Sequence, residues 1–172
     1  MHECLDHMVE GIGRVREIFP ELPLQEVVLT RLLLMVGGNL LGELERNLKP
    51  HGLNDSDFRT LMMIYSSEDG SATPGELCAL AEQKPTNMTR IANALAKKDL
   101  ISRSHATHDR RQVLLRITPA GRRFVNKMLP PMFPPLLANF ACFSSAERKT
   151  FEKLLKKLAL HIDSTVDTDD TP

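Results

Sequence analysis

The chain lacks the residue patterns on which most enzyme chemistry depends. It contains no HExxH, GxSxG or GxxxxGK[ST] segment, and its six histidines are scattered. Gly11-Ile12-Gly13 is a lone GxG inside a helical pattern and gives no phosphate-loop signal. An enzyme is therefore not expected, nor is a cofactor or a bound metal. Cysteine is scarce: Cys4, Cys78 and Cys142 are odd in number, far apart and in no CxxC spacing, which excludes a disulfide framework and fits reduced thiols in the cytoplasm. Tryptophan is absent and there is one tyrosine, so the core must be aliphatic, with Met and Phe as its larger fillers. No uninterrupted run of 18 apolar residues occurs, because Arg31 and the glycine pair break the longest candidate, and no membrane span is expected. The acidic start MHECLDHMVE does not read as a signal peptide.

Net charge is also missing, since 22 basic residues balance 22 acidic ones. Its distribution is uneven. Between Lys84 and Lys98 there is no acidic residue, and from Lys84 to Arg123 ten Lys/Arg stand against Asp99 and Asp109, a local charge of +8. A concentrated basic band on a neutral protein is the expected footprint of phosphate binding.

The same stretch has a readable architecture. Thr73 with Glu76 makes a capping box, Pro74 suits a first helical turn, and Leu77, Leu80 and Ala81 supply an apolar stripe. A polar turn, Glu82-Gln83-Lys84, precedes Pro85 and a second helix. Met88, Ile91, Leu95 and the small Ala92 and Ala94 form its packing side. Thr86, Arg90, Asn93 and Lys97 recur at about one-turn spacing on another side, with Asn87 and Thr89 beside them. These side-chain types reach base edges: Arg to guanine, Asn to adenine, Thr to a thymine methyl or a phosphate. Strands are predicted from Leu100 to His105 and from Gln112 to Ile117, with Val113, Leu115 and Ile117 inward and ATHDRR as the hairpin tip. His105, His108 and Asp109 are of metal-ligand type, but the neighbouring arginines oppose a cation. Lys84, Thr86, Arg103, Arg122 and Arg123 are expected to touch phosphates, which position without specifying.

Elsewhere the pattern is helical. Residues 2–19 place Leu5, Met8, Val9, Ile12, Val15 and Phe19 on one side. A long helix from Leu24 to Lys49 is apolar on more than one face and should be buried between partners. Gly37 and Gly38 at its middle cost roughly 1 kcal/mol each against Ala. They imply either a close helix crossing or room for a small ligand beside Asn39. Asn54 or Ser56 caps the next helix, which carries Phe58, Leu61, Met62 and Tyr65, and residues 66–72 read as a loop. Phe124, Val125, Met128 and Leu129 face inward on a further helix, which Leu129-Pro130-Pro131-Met132-Phe133-Pro134-Pro135 must interrupt before a helical stretch resumes at Leu136. Ser144 and Glu147 form another capping box, opening a last helix with a stripe at Phe151, Leu154, Leu155, Leu158 and Ile162. Cys78 and Cys142 fall in apolar contexts that predict core positions, and residues 163–172 read as a disordered acidic tail. The terminal helices carry more apolar surface than a small central module covers, which suggests dimerisation and, by two-fold symmetry, a pseudo-palindromic site.

The two helices, the hairpin with Asp109-Arg110-Arg111 at its tip and the following Leu115-Arg116-Ile117-Thr118-Pro119-Ala120-Gly121 resemble the winged helix-turn-helix of the MarR family of bacterial transcription regulators. That family's wing pattern is D-x-R, then L-T-x-x-G; Ile117 stands here where Leu is commoner. The resemblance runs from about Leu24 to Ile162. It is closest to the multidrug-efflux repressors, which share an LTRL segment (Leu29–Leu32 here) and a Pro-Pro interruption. It implies a mainly α fold with a small β wing: N-terminal helices over 1–50, a DNA-binding domain over 51–123, C-terminal dimerisation helices over 124–162, and the tail. It also implies a homodimer on double-stranded DNA, released by a small aromatic carboxylate or phenol held between a dimer lobe and a DNA lobe. The lining would be His7, Arg31, Met35, Gly38, Asn39, Phe58 and Met62, with Arg31 or His7 pairing a carboxylate; ordinary core positions for Met35 and Met62 stay open. Some relatives sense peroxide through an N-terminal cysteine, which makes a redox-sensing repressor acting through Cys4 the alternative, although Glu3 and Asp6 beside it disfavour a thiolate.

Arg111 is expected to enter the minor groove, positioned by Asp109. Arg111→Ala should then weaken binding broadly across DNA sequences in a fluorescence titration, and unchanged affinity would refute that role.

Overall fold

The computed structural model describes residues 2–81, 83–105 and 113–169, and side chains for 3–81, 83–105 and 113–164. The hairpin tip at 106–112, with Asp109, Arg110 and Arg111, lies outside the described residues, as does Glu82. The chain divides into two units, residues 1–121 and 122–172.

The first unit begins with α1 (His2–Ile18) packed on α2 (Leu24–Leu48), and a 3-10 turn (Lys49–His51) leads to α3 (Asp55–Ser66). Asn54 caps α3: its side chain accepts from the Asp57 amide at 2.8 Å, and Asp57 accepts in return from the Asn54 amide. Then come β1 (Ser71–Ala72), α4 (Pro74–Ala81), α5 (Pro85–Lys97), β2 (Ile101–His105) and β3 (Val113–Ile117). The expected Thr73–Glu76 box is formed, with the Thr73 amide 2.7 Å from Glu76 Oε2 and the Glu76 amide 3.2 Å from Thr73 Oγ1. These hydrogen bonds hold the Glu76 carboxyl below its ordinary pKa.

Residues 66–72 are not wholly loop. Ser71 and Ala72 form an edge strand, pairing antiparallel with Arg116 and Leu115, so the sheet order is β1-β3-β2. Two residues are too short to show alternation in sequence. The strand is tied by Asp69, whose carboxylate accepts from the Ser71 hydroxyl (2.6 Å) and amide (3.0 Å), while Arg116 donates to the Asp69 carbonyl at 3.0 Å. Across β2 and β3, Ile101 faces Ile117 and His105 faces Val113.

The core of this unit joins Leu48, Leu53, Leu61, Ile64, Leu77, Met88, Ile91, Leu95, Ile101, Leu115 and Ile117, all buried. Each such aliphatic side chain stabilises the fold by roughly 1.5–3 kcal/mol. Stability therefore resides in α3, α4, α5 and the sheet. α2 contributes one buried residue, Leu48, and leaves Leu29, Leu33, Leu34, Val36 and Leu41 exposed among the described residues. By length and composition alone, the helix from Leu24 to His51 is long and apolar enough to cross a membrane, a test that core helices of soluble proteins also pass. Among the described residues a Cβ at Gly37 or Gly38 would meet nothing within 4 Å. α1 half-buries Leu5, Met8 and Ile12 but exposes Val9, Val15 and Phe19 from the expected stripe. On α4, Leu77 and Ala81 are buried while Leu80 is 66% exposed. The i, i+3, i+4 arc is wider than the face that α3 and α5 cover.

α5 ends in a Schellman arrangement: the Leu100 amide donates to Leu95 O (3.1 Å) and the Asp99 amide to Ala96 O (2.9 Å). Asp99 occupies the left-handed position (φ +55°) that glycine usually fills. Its carbonyl accepts from the Thr118 hydroxyl at 2.6 Å, and the same hydroxyl accepts from the Gly121 amide at 2.8 Å.

In the second unit α6 (Pro119–Met128, entering from residue 119) ends before a 3-10 turn (Pro130–Met132) and α7 (Phe133–Asn139). Pro134 and Pro135 fall in the first turn of α7, where no intrahelical amide bond is lost. α8 (Ser145–Asp169) starts at the Ser144–Glu147 box and carries the backbone well into the residues expected to be disordered. Phe143 stacks on Phe151 with ring centroids 5.7 Å apart. Leu154, Leu155, Leu158 and Ile162 are exposed, and Cys142 is exposed rather than core.

Gly121 has the tightest backbone approach. A Cβ there would lie 2.1 Å from the Leu100 carbonyl oxygen. Gly121→Ala should cost about 1–3 kcal/mol in urea unfolding, because a backbone atom must move; an unshifted midpoint would show that the junction is loose.

Candidate nucleic-acid interface

α5 is the element around which the polar surface is built. Its buried side, Met88, Ile91, Ala92 and Leu95, with Ala94 half-buried, packs toward α3 and α4. That packing leaves Thr86, Thr89, Arg90, Asn93 and Lys97 exposed, with Asn87 half-buried among them and Lys84 exposed at the N-cap. Arg103 is exposed on β2. The α5 amino end carries no acidic residue in its first turn, so the helix dipole and Lys84 present one positive end.

These groups are linked to one another. Arg103 Nη2 donates to Asn93 Oδ1 at 2.7 Å, joining β2 to the middle of α5. Arg90 Nε donates to Asn87 Oδ1 at 3.0 Å, while the Asn87 amide nitrogen donates to Gln83 Oε1. Asn87 thus uses both ends of its carboxamide inside the protein and holds exposed Arg90 by its Nε, a contact that leaves the two terminal amino groups out. The Thr89 hydroxyl returns to Pro85 O at 3.0 Å. Gln83 was not among the residues expected to matter; a turn glutamine gives no sequence signal until its partner four residues on is known to face it.

The basic band is less uniform than its charge count. Arg116 lies 3.4 Å from Asp69 Oδ2 and serves the strand base. The Ser71 hydrogen bonds, and secondarily the Arg116 charge, lower the Asp69 pKa.

A cleft of about 230 Å³ opens between α5 and the sheet, lined by Pro74, Met88, Thr89, Ala92, Arg103, Val113 and Leu115. Its lining residues are apolar apart from Thr89 and Arg103. None of the seven expected ligand residues lines it. His7, Arg31, Gly38 and Asn39 are exposed on α1 and α2, while Met35, Phe58 and Met62 are half-buried on α2 and α3. His7 Nδ1 lies 2.7 Å from Glu3 O. Seeing the cleft from sequence would have required the β3 register against α4, which local periodicity does not encode.

Residues 51–112 match the family model described as "MarR family". The transcriptional repressor MprA of Escherichia coli K12 is 35% identical over 144 residues, 83% of this chain and 81% of the relative. Among solved structures, AbsC from Streptomyces coelicolor, a MarR family transcriptional regulator, superposes with a TM-score of 0.74 at 23% identity over 81% of this chain and 95% of its own. BpsR of Bordetella bronchiseptica, whose DNA binding is regulated by 6-hydroxynicotinic acid, gives 0.66 at 22% identity over 76% and 91%. At those identities the two structures speak to the fold.

Arg90→Ala is expected to relax base preference at the position it reads by roughly 1–3 kcal/mol. Asn87→Ala should act on the same position by a smaller factor, since it frees Nε without removing the fork. Competition binding against single-base operator variants measures both, and effects at different positions would contradict the linkage.

Proposed function

The chain belongs to the MarR family of transcriptional regulators, DNA-binding proteins without enzymatic activity, and from that premise we propose that it is a cytoplasmic, homodimeric repressor released from a pseudo-palindromic operator by a small aromatic acid or phenol. The observation that carries the reading is the exposed α5 face, where Thr86, Arg90, Asn93 and Lys97 stand at turn spacing without a carboxylate between Lys84 and Lys98. Lys84, Asn87, Thr89 and Arg103 flank it, Arg111 is assigned to the minor groove with Asp109 as its positioning partner, and Arg110 is counted among the DNA contacts. The exposed apolar residues of α2, and separately those of α8, supply a reason to dimerise, because such surface on a DNA-binding regulator calls for a protein partner.

Two places suit the effector. One is the set His7, Arg31, Met35, Gly38, Asn39, Phe58 and Met62, where Arg31 would meet a carboxylate and the methionines would adapt to a ring. The other is the cleft beside Arg103, whose 230 Å³ and apolar walls suit a single aromatic ring with one anionic group. BpsR, of the same fold, responds to an aromatic acid. Release requires that the effector favour a conformer that no longer fits the operator; equal affinity for both states would change nothing.

A footprint on DNA upstream of the protein's own reading frame, at about 0.15 M salt, tests the reading. The expected result is a protected pseudo-palindrome with half-sites about 10 bp apart, erased by one acid in a panel of aromatic carboxylates, with affinity falling steeply as salt rises. Protection lost to peroxide and kept in Cys4→Ser would instead select redox sensing, for which the exposed Cys4 thiol supplies access. Binding indifferent to salt would refute phosphate recognition.

A further inference from the structure

We propose that Arg103 decides what Asn93 reads, turning it into a donor-only side chain that selects guanine over adenine in the major groove. The inference rests on α5 being the DNA-reading helix. Free asparagine is suited to adenine, because its carboxamide oxygen accepts from N6 while its nitrogen donates to N7. Here that oxygen is already engaged by Arg103 Nη2 at 2.7 Å.

The orientation of the amide is fixed by chemistry. A guanidinium carries donors only, so the end of Asn93 that meets Arg103 must be the oxygen, and the amino group is left to face outward. Arg103 is itself restrained. It lines the cleft together with Pro74, Met88, Thr89 and Val113, so its stem has apolar walls to lie against while the charged head stays exposed. The pair therefore presents one composite surface of N–H groups. Guanine offers two acceptors, O6 and N7, to that surface. Adenine would bring its N6 amino group against the guanidinium, donor beside donor. Thymine offers a single acceptor and cytosine a donor.

Selection from a randomised operator library with the full-length protein tests this. The position read is the one whose preference Asn93→Ala flattens. Wild type should select guanine there. Arg103→Met keeps an apolar stem in the cleft but removes the donors, and should shift that position toward adenine about tenfold. In the Asn93→Ala background the same change should produce no shift. Asn93→Asp retains the Arg103 contact without an outward donor, and should lose the guanine preference. Uniformly weaker binding by Arg103→Met with the preference intact would reduce Arg103 to a phosphate contact and overturn the proposal. Adenine in the wild-type selection, or a shift that persists without Asn93, would overturn it as well. A wild type that enriches no sequence would refute the base-reading helix itself.

Discussion

The structure depends on one backbone contact, the approach of Gly121 to the Leu100 carbonyl. That oxygen accepts from the Thr118 amide at 3.1 Å and from the Thr118 hydroxyl at 3.3 Å, and it leaves no space for a side chain at residue 121. Three things meet there: the end of α5, the start of β2 and the first turn of α6. The Schellman closure at Asp99 turns the chain sharply out of α5, and the Thr118 hydroxyl bridges Asp99 O to the Gly121 amide. With the Ile101–Ile117 end of the β2–β3 ladder thus anchored at the close of α5, these two strands and the helix share one frame. A base-reading helix and a wing arginine can act on one stretch of DNA only if that frame is fixed.

From this frame the polar face follows. Arg103 reaches Asn93 because β2 leaves α5 at the angle the junction imposes; residues ten apart in sequence become hydrogen-bonded neighbours. Gln83, Asn87 and Arg90 form a second chain along α5. In the proposed reading, ordering these side chains before DNA arrives lowers the conformational entropy lost on binding. It also constrains them, since a carboxamide already bonded at one end no longer has its full recognition vocabulary.

The sequence made the α5 faces legible because helical period and residue type agree there: the buried Met88, Ile91, Ala92 and Leu95 and the exposed Arg90 and Asn93 lie where the pattern places them. Capping boxes at Thr73 and Ser144 were equally readable, each being a local bond between residues three apart. The edge strand at Ser71 was not, because its evidence is a long-range pairing with Arg116. Gly37 and Gly38 signal an unusual helix without saying what it meets, and among the described residues a Cβ at either would meet nothing within 4 Å. The apolar excess of α2 implies a covering partner, which helical periodicity does not identify. The cleft and the Arg103–Asn93 bond were invisible for the same reason as the edge strand.

Arg103 stands at the meeting point of the two proposals. Arg103 lines the cleft, and its guanidinium holds the Asn93 oxygen. A carboxylate entering the cleft would offer it an ion pair with two acceptor oxygens, a bidentate geometry that a single amide oxygen cannot supply. The exchange would free Asn93 to turn, changing what α5 presents to a base. By linkage the effect runs both ways: DNA that depends on the Arg103–Asn93 bond must weaken the acid by the factor by which the acid weakens that DNA. Effector response at this cleft would then vary with the base opposite Asn93, being strongest on guanine operators and weakest where adenine already favours the released amide.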